Sequence, residues 1–72
     1  MTIVDARGLL CPVPLTMAKQ RMAALEAGET LTVLATDPEA TIDLGAWAAA
    51  EGHDYAERQG DGWTEYALVK RA

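Results

Sequence analysis

Arg7-Gly8-Leu9-Leu10-Cys11-Pro12-Val13-Pro14 separates two segments of different period. Upstream, Thr2 to Asp5 alternates and carries β-branched residues, as a short strand does. Downstream, Leu15, Ala18, Met22 and Leu25 recur at helical spacing and mark one buried face of a helix from Val13 to Leu25. Pro12 suits the first turn of that helix, because its φ is already helical and the N–H it lacks would have no intrahelical partner. Cys11, the single cysteine, is thereby expected at or just before a helix N-terminus. Free backbone N–H groups and the macrodipole favour a thiolate there. A thiol so held is reactive.

Working outward, Gly28 is the expected C-cap of the first helix. Leu31, Val33 and Ala35 share one face of a strand over Thr30–Ala35, with Thr32 and Thr36 on the other and Leu34 the exception. Thr36 or Asp37 caps a second helix over roughly Glu39 to Glu51, with Pro38 in its first turn. Ala40, Leu44, Trp47 and Ala48 lie on one side of that helix. Gly45 weakens it by on the order of 1 kcal/mol relative to alanine and so marks close packing or a bend. Gly52 ends it. Gly60-Asp61-Gly62 is a hairpin signal between alternating segments at Asp54–Gln59 and Trp63–Lys70. The order β-α-β-α-β-β predicts an α+β fold, a two-layer α/β sandwich. Its four-stranded mixed sheet carries both helices on one face.

Seventy-two residues make one domain, expected over 1–72, with no internal repeat. The net charge of −5 argues against binding to phosphate backbones or anionic membranes. No uncharged stretch is a membrane span. Neither membrane association nor direct nucleic-acid binding is therefore expected. Met1 leads straight into the first strand without a basic and apolar leader, so a cytoplasmic location is expected. One cysteine cannot form an internal disulfide, and with His53 as the single histidine it makes no zinc set. No cofactor or metal is expected.

Cys11 could be a small buried hydrophobe, as most free cysteines are. A loop-to-helix junction followed by proline is seldom the middle of a core, which favours chemistry. Lowering a thiol pKa by about two units takes roughly 2.7 kcal/mol. A helix terminus supplies about 0.3–1 kcal/mol, or up to about 2 when partly buried. Backbone N–H bonds or Arg7 must supply the rest. Arg7 either stabilises the anion or pairs with Asp5 or another carboxylate. Gly8 is expected in a conformation closed to other residues, and Pro12 and Pro14 stiffen the mount of Cys11. Lys19 and Arg21 form either a small basic patch for an acidic partner or an ordinary solvated helix face. Asp37 reads as a helix cap before a catalytic acid, and Trp47 as core before contact surface. His53 reads as a surface histidine at a strand start, and Trp63 and Tyr66 as members of one strand.

The run Leu9 to Pro14 after Asp5-Ala6-Arg7-Gly8 resembles the TusA-like (SirA-like) sulfur-carrier family, whose members share a D-x-R-G-L-x-C-P-x-P stretch. Asp5, Arg7, Gly8, Leu9, Cys11, Pro12 and Pro14 fit that pattern. Gly28-Glu29 and Asp37-Pro38 continue it, so the resemblance covers nearly the whole chain. It implies the same two-layer sandwich and a Cys11 that carries sulfur as a persulfide. The donor would be a cysteine desulfurase or rhodanese and the recipient an acceptor protein. Such a chain is a sulfurtransferase-type carrier, not an enzyme of small molecules. Transfer-RNA thiolation, molybdenum cofactor supply and sulfur metabolism would all use the same residues. The resemblance also implies partner docking near Asp37, with Lys19, Arg21 and Trp47 as further docking candidates. Some relatives carry a second cysteine where this chain has Ala48, which rules out a two-cysteine relay within the monomer. The alternative is a redox-sensing or regulatory interaction module in which Cys11 oxidises to a sulfenic acid or mixed disulfide.

Overall fold

A computed structural model gives the structure of residues 2–71; Met1 and Ala72, the ends of the domain expected over 1–72, lie outside the described residues. The elements are β1 (Thr2–Ala6), α1 (Val13–Ala23), β2 (Thr30–Ala35), α2 (Glu39–Glu51), β3 (Asp54–Gln59) and β4 (Thr64–Val69), in the expected order. They form one mixed sheet of strand order β1-β2-β4-β3, in which β1 runs parallel to β2 and β4 antiparallel to both its neighbours.

The period of two along the strands sorts the core. Val4, Ala6, Leu31, Val33, Ala35, Tyr66 and Leu68 are buried on one face and meet Ala18 and Met22 of α1 and Ala40, Leu44 and Ala48 of α2. Register places Val4 beside Val33, and Val33 beside Tyr66, so the layer is continuous across three strands. Burial of each large aliphatic side chain here contributes about 1.5–3 kcal/mol. Among the described residues no helix covers the other sheet face, and Ile3 is 54% exposed there.

Three expectations about the helix ends are corrected. First, α1 stops at Ala23, two residues short of Leu25, and Ala24 is its C-cap. Gly28 is not that cap but sits at φ +91° in the turn before β2, its N–H bonded to the Lys70 carbonyl at 2.7 Å. The Lys70 ammonium instead closes α1, donating to the carbonyls of Met22 at 3.0 Å and Leu25 at 2.6 Å. A cation reaching orphan carbonyls does the work a glycine cap would do. Second, Pro12 precedes α1 as its N-cap, and Pro14 occupies the first turn, buried. Third, Pro38 likewise precedes α2. Gly52 ends α2 in the left-handed conformation as expected, with φ +74°.

The β3–β4 hairpin is closed by a Gly60 N–H bond to the Trp63 carbonyl at 2.7 Å. Trp63 lies in the turn and not in β4, because its indole covers Gly60. A Cβ at Gly60 would stand 2.6 Å from the indole Cε2. Overpacking of this kind costs about 1–3 kcal/mol. Gly60→Ala is expected to lower the urea midpoint accordingly, and an unchanged midpoint would show that the ring can swing aside freely.

Because β1 and β2 are parallel, the loops that follow them leave the same edge of the sheet. Thr64 pairs with Ala35, so the β3–β4 hairpin stands at that edge too.

Candidate functional site

Cys11 lies on the β1–α1 loop at this edge and is half-buried. The β2–α2 loop clamps its backbone. Cys11 N–H donates to Asp37 Oδ2 at 2.7 Å, and Gly8 N–H donates to Thr36 Oγ1 at 2.9 Å. Gly8 stands at φ +83°, the conformation expected of it. Asp37 Oδ1 also accepts the Glu39 N–H at 3.0 Å, and the Asp37 carbonyl accepts the Ala40 N–H at 3.0 Å. Asp37, one residue before the N-cap Pro38, thus ties the start of α2 with its side chain, while Thr36 ties the loop. The N–H groups of Cys11 and Glu39 hold the Asp37 carboxyl below its usual range.

The thiol meets a carboxylate that nothing in the local sequence announces. Cys11 Sγ donates to Asp43 Oδ2 of α2 at 2.5 Å. That bond, with desolvation and the charges of Asp43, Glu39 and Asp37, pushes the Cys11 pKa up to about 11. The expected thiolate-favouring site is therefore corrected to a thiol-favouring one. Sγ sits one residue before the N-cap, and full negative charges from α2 outweigh the partial positive charge of the α1 start.

Arg7 does not offset them. Its Nε and Nη2 donate to Asp5 Oδ1 at 2.9 Å and Asp5 Oδ2 at 2.8 Å, and its guanidinium lies 5.0 Å from the Trp63 ring centroid. The pair holds the Asp5 carboxyl down at about 2, chiefly through the hydrogen bonds from Arg7. Of the two roles open to Arg7, pairing with Asp5 is the one formed.

The remaining candidates scatter. Lys19 and Trp47 line a surface groove of about 480 Å³ with Met22, Glu51, His53 and Lys70, toward the C-terminal ends of the helices. Trp47 is half-buried against the core and meets His53 edge-on at 5.5 Å. His53 Nδ1 accepts the Arg71 N–H at 3.1 Å, in that groove and not beside Cys11. Arg21 is exposed on α1 outside that groove. Asp37 alone of the docking candidates touches Cys11. Asp43 was the residue missed. Its spacing from Glu39, four residues on one helix face, was the available signal, but only the tertiary fold aims that face at Cys11. Leu10 and Ile42, next to Cys11 and Asp43 in sequence, are 75% and 70% exposed.

Among the described residues no cluster of histidine, cysteine and carboxylate side chains is arranged to hold a metal ion, and no helix is long and apolar enough to cross a membrane.

Residues 2–70 match the family model described as Sulfurtransferase TusA. The chain is 36% identical over 69 residues to the sulfur carrier protein TusA of Allochromatium vinosum, covering 96% of this chain and 91% of that protein. It is 47% and 45% identical, over 60 residues each, to YrkF and YrkI of Bacillus subtilis, both described as candidate sulfur carriers. Both matches cover 83% of this chain, but they span 32% of YrkF and 80% of YrkI. The crystal structure of the SirA-like protein from Desulfitobacterium hafniense superposes with a TM-score of 0.91 at 32% identity, covering all of both chains.

Proposed function

The chain belongs to the sulfurtransferase TusA family, a family of sulfur carriers, and we propose that Cys11 Sγ is the atom that carries the sulfur, as a persulfide. The observation that carries this assignment is the placement of the only cysteine. Cys11 is half-buried, on a proline-flanked loop clamped at two backbone N–H groups and bordered by exposed Leu10. A mount so fixed can enter another protein's active site and leave it unchanged in shape.

Loading is a thiol–persulfide exchange. Cys11 Sγ attacks the terminal sulfur of a donor persulfide, R–S–SH. The donor S–S bond breaks, a new S–S bond forms at Sγ, and the electron pair leaves on the donor sulfur. The proton lost from Sγ is balanced by one taken up by that departing thiolate, giving Cys11–S–SH and R–SH with no net oxidation. Unloading repeats the exchange toward an acceptor thiol, with Cys11 as leaving group. The donor is a cysteine desulfurase or a rhodanese and the acceptor a second protein. The exchange is placed in the cytoplasm, where thiols are kept reduced.

Incubation with a cysteine desulfurase and cysteine, or with a rhodanese and thiosulfate, is expected to add the mass of one sulfur at Cys11, removable by dithiothreitol. Failure of several donors, together with rapid conversion to a sulfenic acid by dilute peroxide, would move the assignment to the redox-sensing alternative. The raised thiol pKa weighs against that outcome, since peroxide attacks the thiolate.

A further inference from the structure

We propose that Asp43 is a positioning residue that holds the proton on Cys11 in the free carrier, and that the thiol becomes a nucleophile when a docking protein brings a cationic side chain against Asp43. This rests on the assignment of sulfur carriage to Cys11 and adds to it the chemistry of the partner surface.

The geometry is specific. Asp43 Oδ2 accepts the Sγ–H directly. The charges acting on the thiol come from the β2–α2 loop through Asp37 and from α2 through Glu39 and Asp43, and all are negative. The cation on Cys11's own loop, Arg7, is turned to Asp5 and Trp63. Among the described residues there is therefore no counter-charge at Sγ, and ionisation there draws one from outside. Leu10 and Ile42 stand exposed beside the two members of the pair. The complementary surface is accordingly an apolar patch that carries a lysine or arginine. Charge complementarity of this kind selects partners and orients them.

The consequence is a carrier that is quiet between partners. A protonated thiol reacts poorly with peroxide and electrophiles, so the free protein is protected from loss of its one working atom. On docking, the partner's cation pairs with the Asp43 carboxylate and the Sγ–H···Oδ2 bond is given up. Sγ then loses its proton to solvent, the thiolate attacks the terminal sulfur of the donor persulfide, and the departing donor thiolate takes up a proton in its place. No oxidant or reductant enters.

The test sets two readouts against each other. Iodoacetamide alkylation of wild-type protein, followed against pH, is expected to show a midpoint near 11. In Asp43→Asn the midpoint should fall toward the ordinary thiol value of about 8.5. A fall of about two units multiplies the thiolate fraction near pH 7.5 about a hundredfold. The loss of intrinsic nucleophilicity takes back roughly half of that exponent, leaving a net gain of about tenfold in alkylation rate. Loading of the same variant by the donor protein should weaken, with a raised KM, because the partner's cation has lost its mate. A merely structural role would slow or leave unchanged both reactions. The proposal is overturned by a wild-type midpoint near that of free cysteine, which needs no variant to fold. It is overturned equally by an Asp43→Asn profile that matches wild type, or by alkylation and donor loading that move in the same direction. If wild type loads sulfur and the profile does not shift, Asp43 loses its role while sulfur carriage on Cys11 stands. If the profile shifts and no donor loads wild type, the reverse holds.

Discussion

Cys11→Ser is expected to abolish sulfur loading completely while leaving the thermal midpoint within about 4 °C of wild type. The loss is total because an alcohol oxygen forms no S–S bond and the chain has no second cysteine to take over. Stability is spared because serine keeps the essential contact. Its hydroxyl can donate to Asp43 as the thiol does, and the backbone N–H bond to Asp37 is untouched. Substitutions that preserve such contacts fall within about 0.5 kcal/mol, which for a domain of this size is about 2–4 °C. Intact mass after incubation with donor reads the first half of the prediction, and a melting curve the second. A serine variant that still gained a sulfur would remove Cys11 from the mechanism. A fall of 10 °C or more would mean that the thiol–Asp43 bond is part of what holds the two loops together.

Leu31→Ala is expected to lower stability by about 2–5 kcal/mol. A native domain of this length has roughly 4–11 kcal/mol in total, so the variant should lose a large share of its resistance to urea. Leu31 has no exposed surface, and its strand β2 is central, paired with Thr2 of β1 on one side and Leu68 of β4 on the other. Neither neighbour can slide into the space without breaking ladder bonds, so the cavity stays open. Urea denaturation with an unchanged slope would report the loss as stability alone. A change below 1 kcal/mol would show that α1 can settle onto the sheet to fill the gap. Leu31 lies at the start of β2, at the opposite end from Asp37. The alkylation profile of Cys11 in the still-folded variant should therefore match wild type.

These two substitutions differ in how far each could be foreseen. Leu31 announced itself through the alternation Leu31, Val33, Ala35, and all three are buried as read. The position of Cys11 before a helix was equally plain from Pro12 and Pro14. Its electrostatic character was read with the wrong sign. The local inventory held a helix start and Arg7, both favouring an anion, and the structure sends Arg7 to Asp5 and brings Asp43 from 32 residues away. The helix end at Ala23 was misplaced for a similar reason. Leu25 keeps the period, but Lys70 from the far end of the chain satisfies the carbonyls that a continued helix would have used.

What this sequence determines by itself is the succession of elements, the face each one buries and the place of its one thiol. Periodicity, prolines and turn glycines act over a few residues, and the energies they report are local. What only the tertiary structure decides is the company that thiol keeps. The parallel pairing of β1 with β2 carries two loops to one edge and lays the acidic face of α2 against Cys11. Electrostatic influence falls with distance through space and is indifferent to distance along the chain. The character of the thiol is therefore set by the register of the sheet, and no stretch of neighbouring residues encodes it.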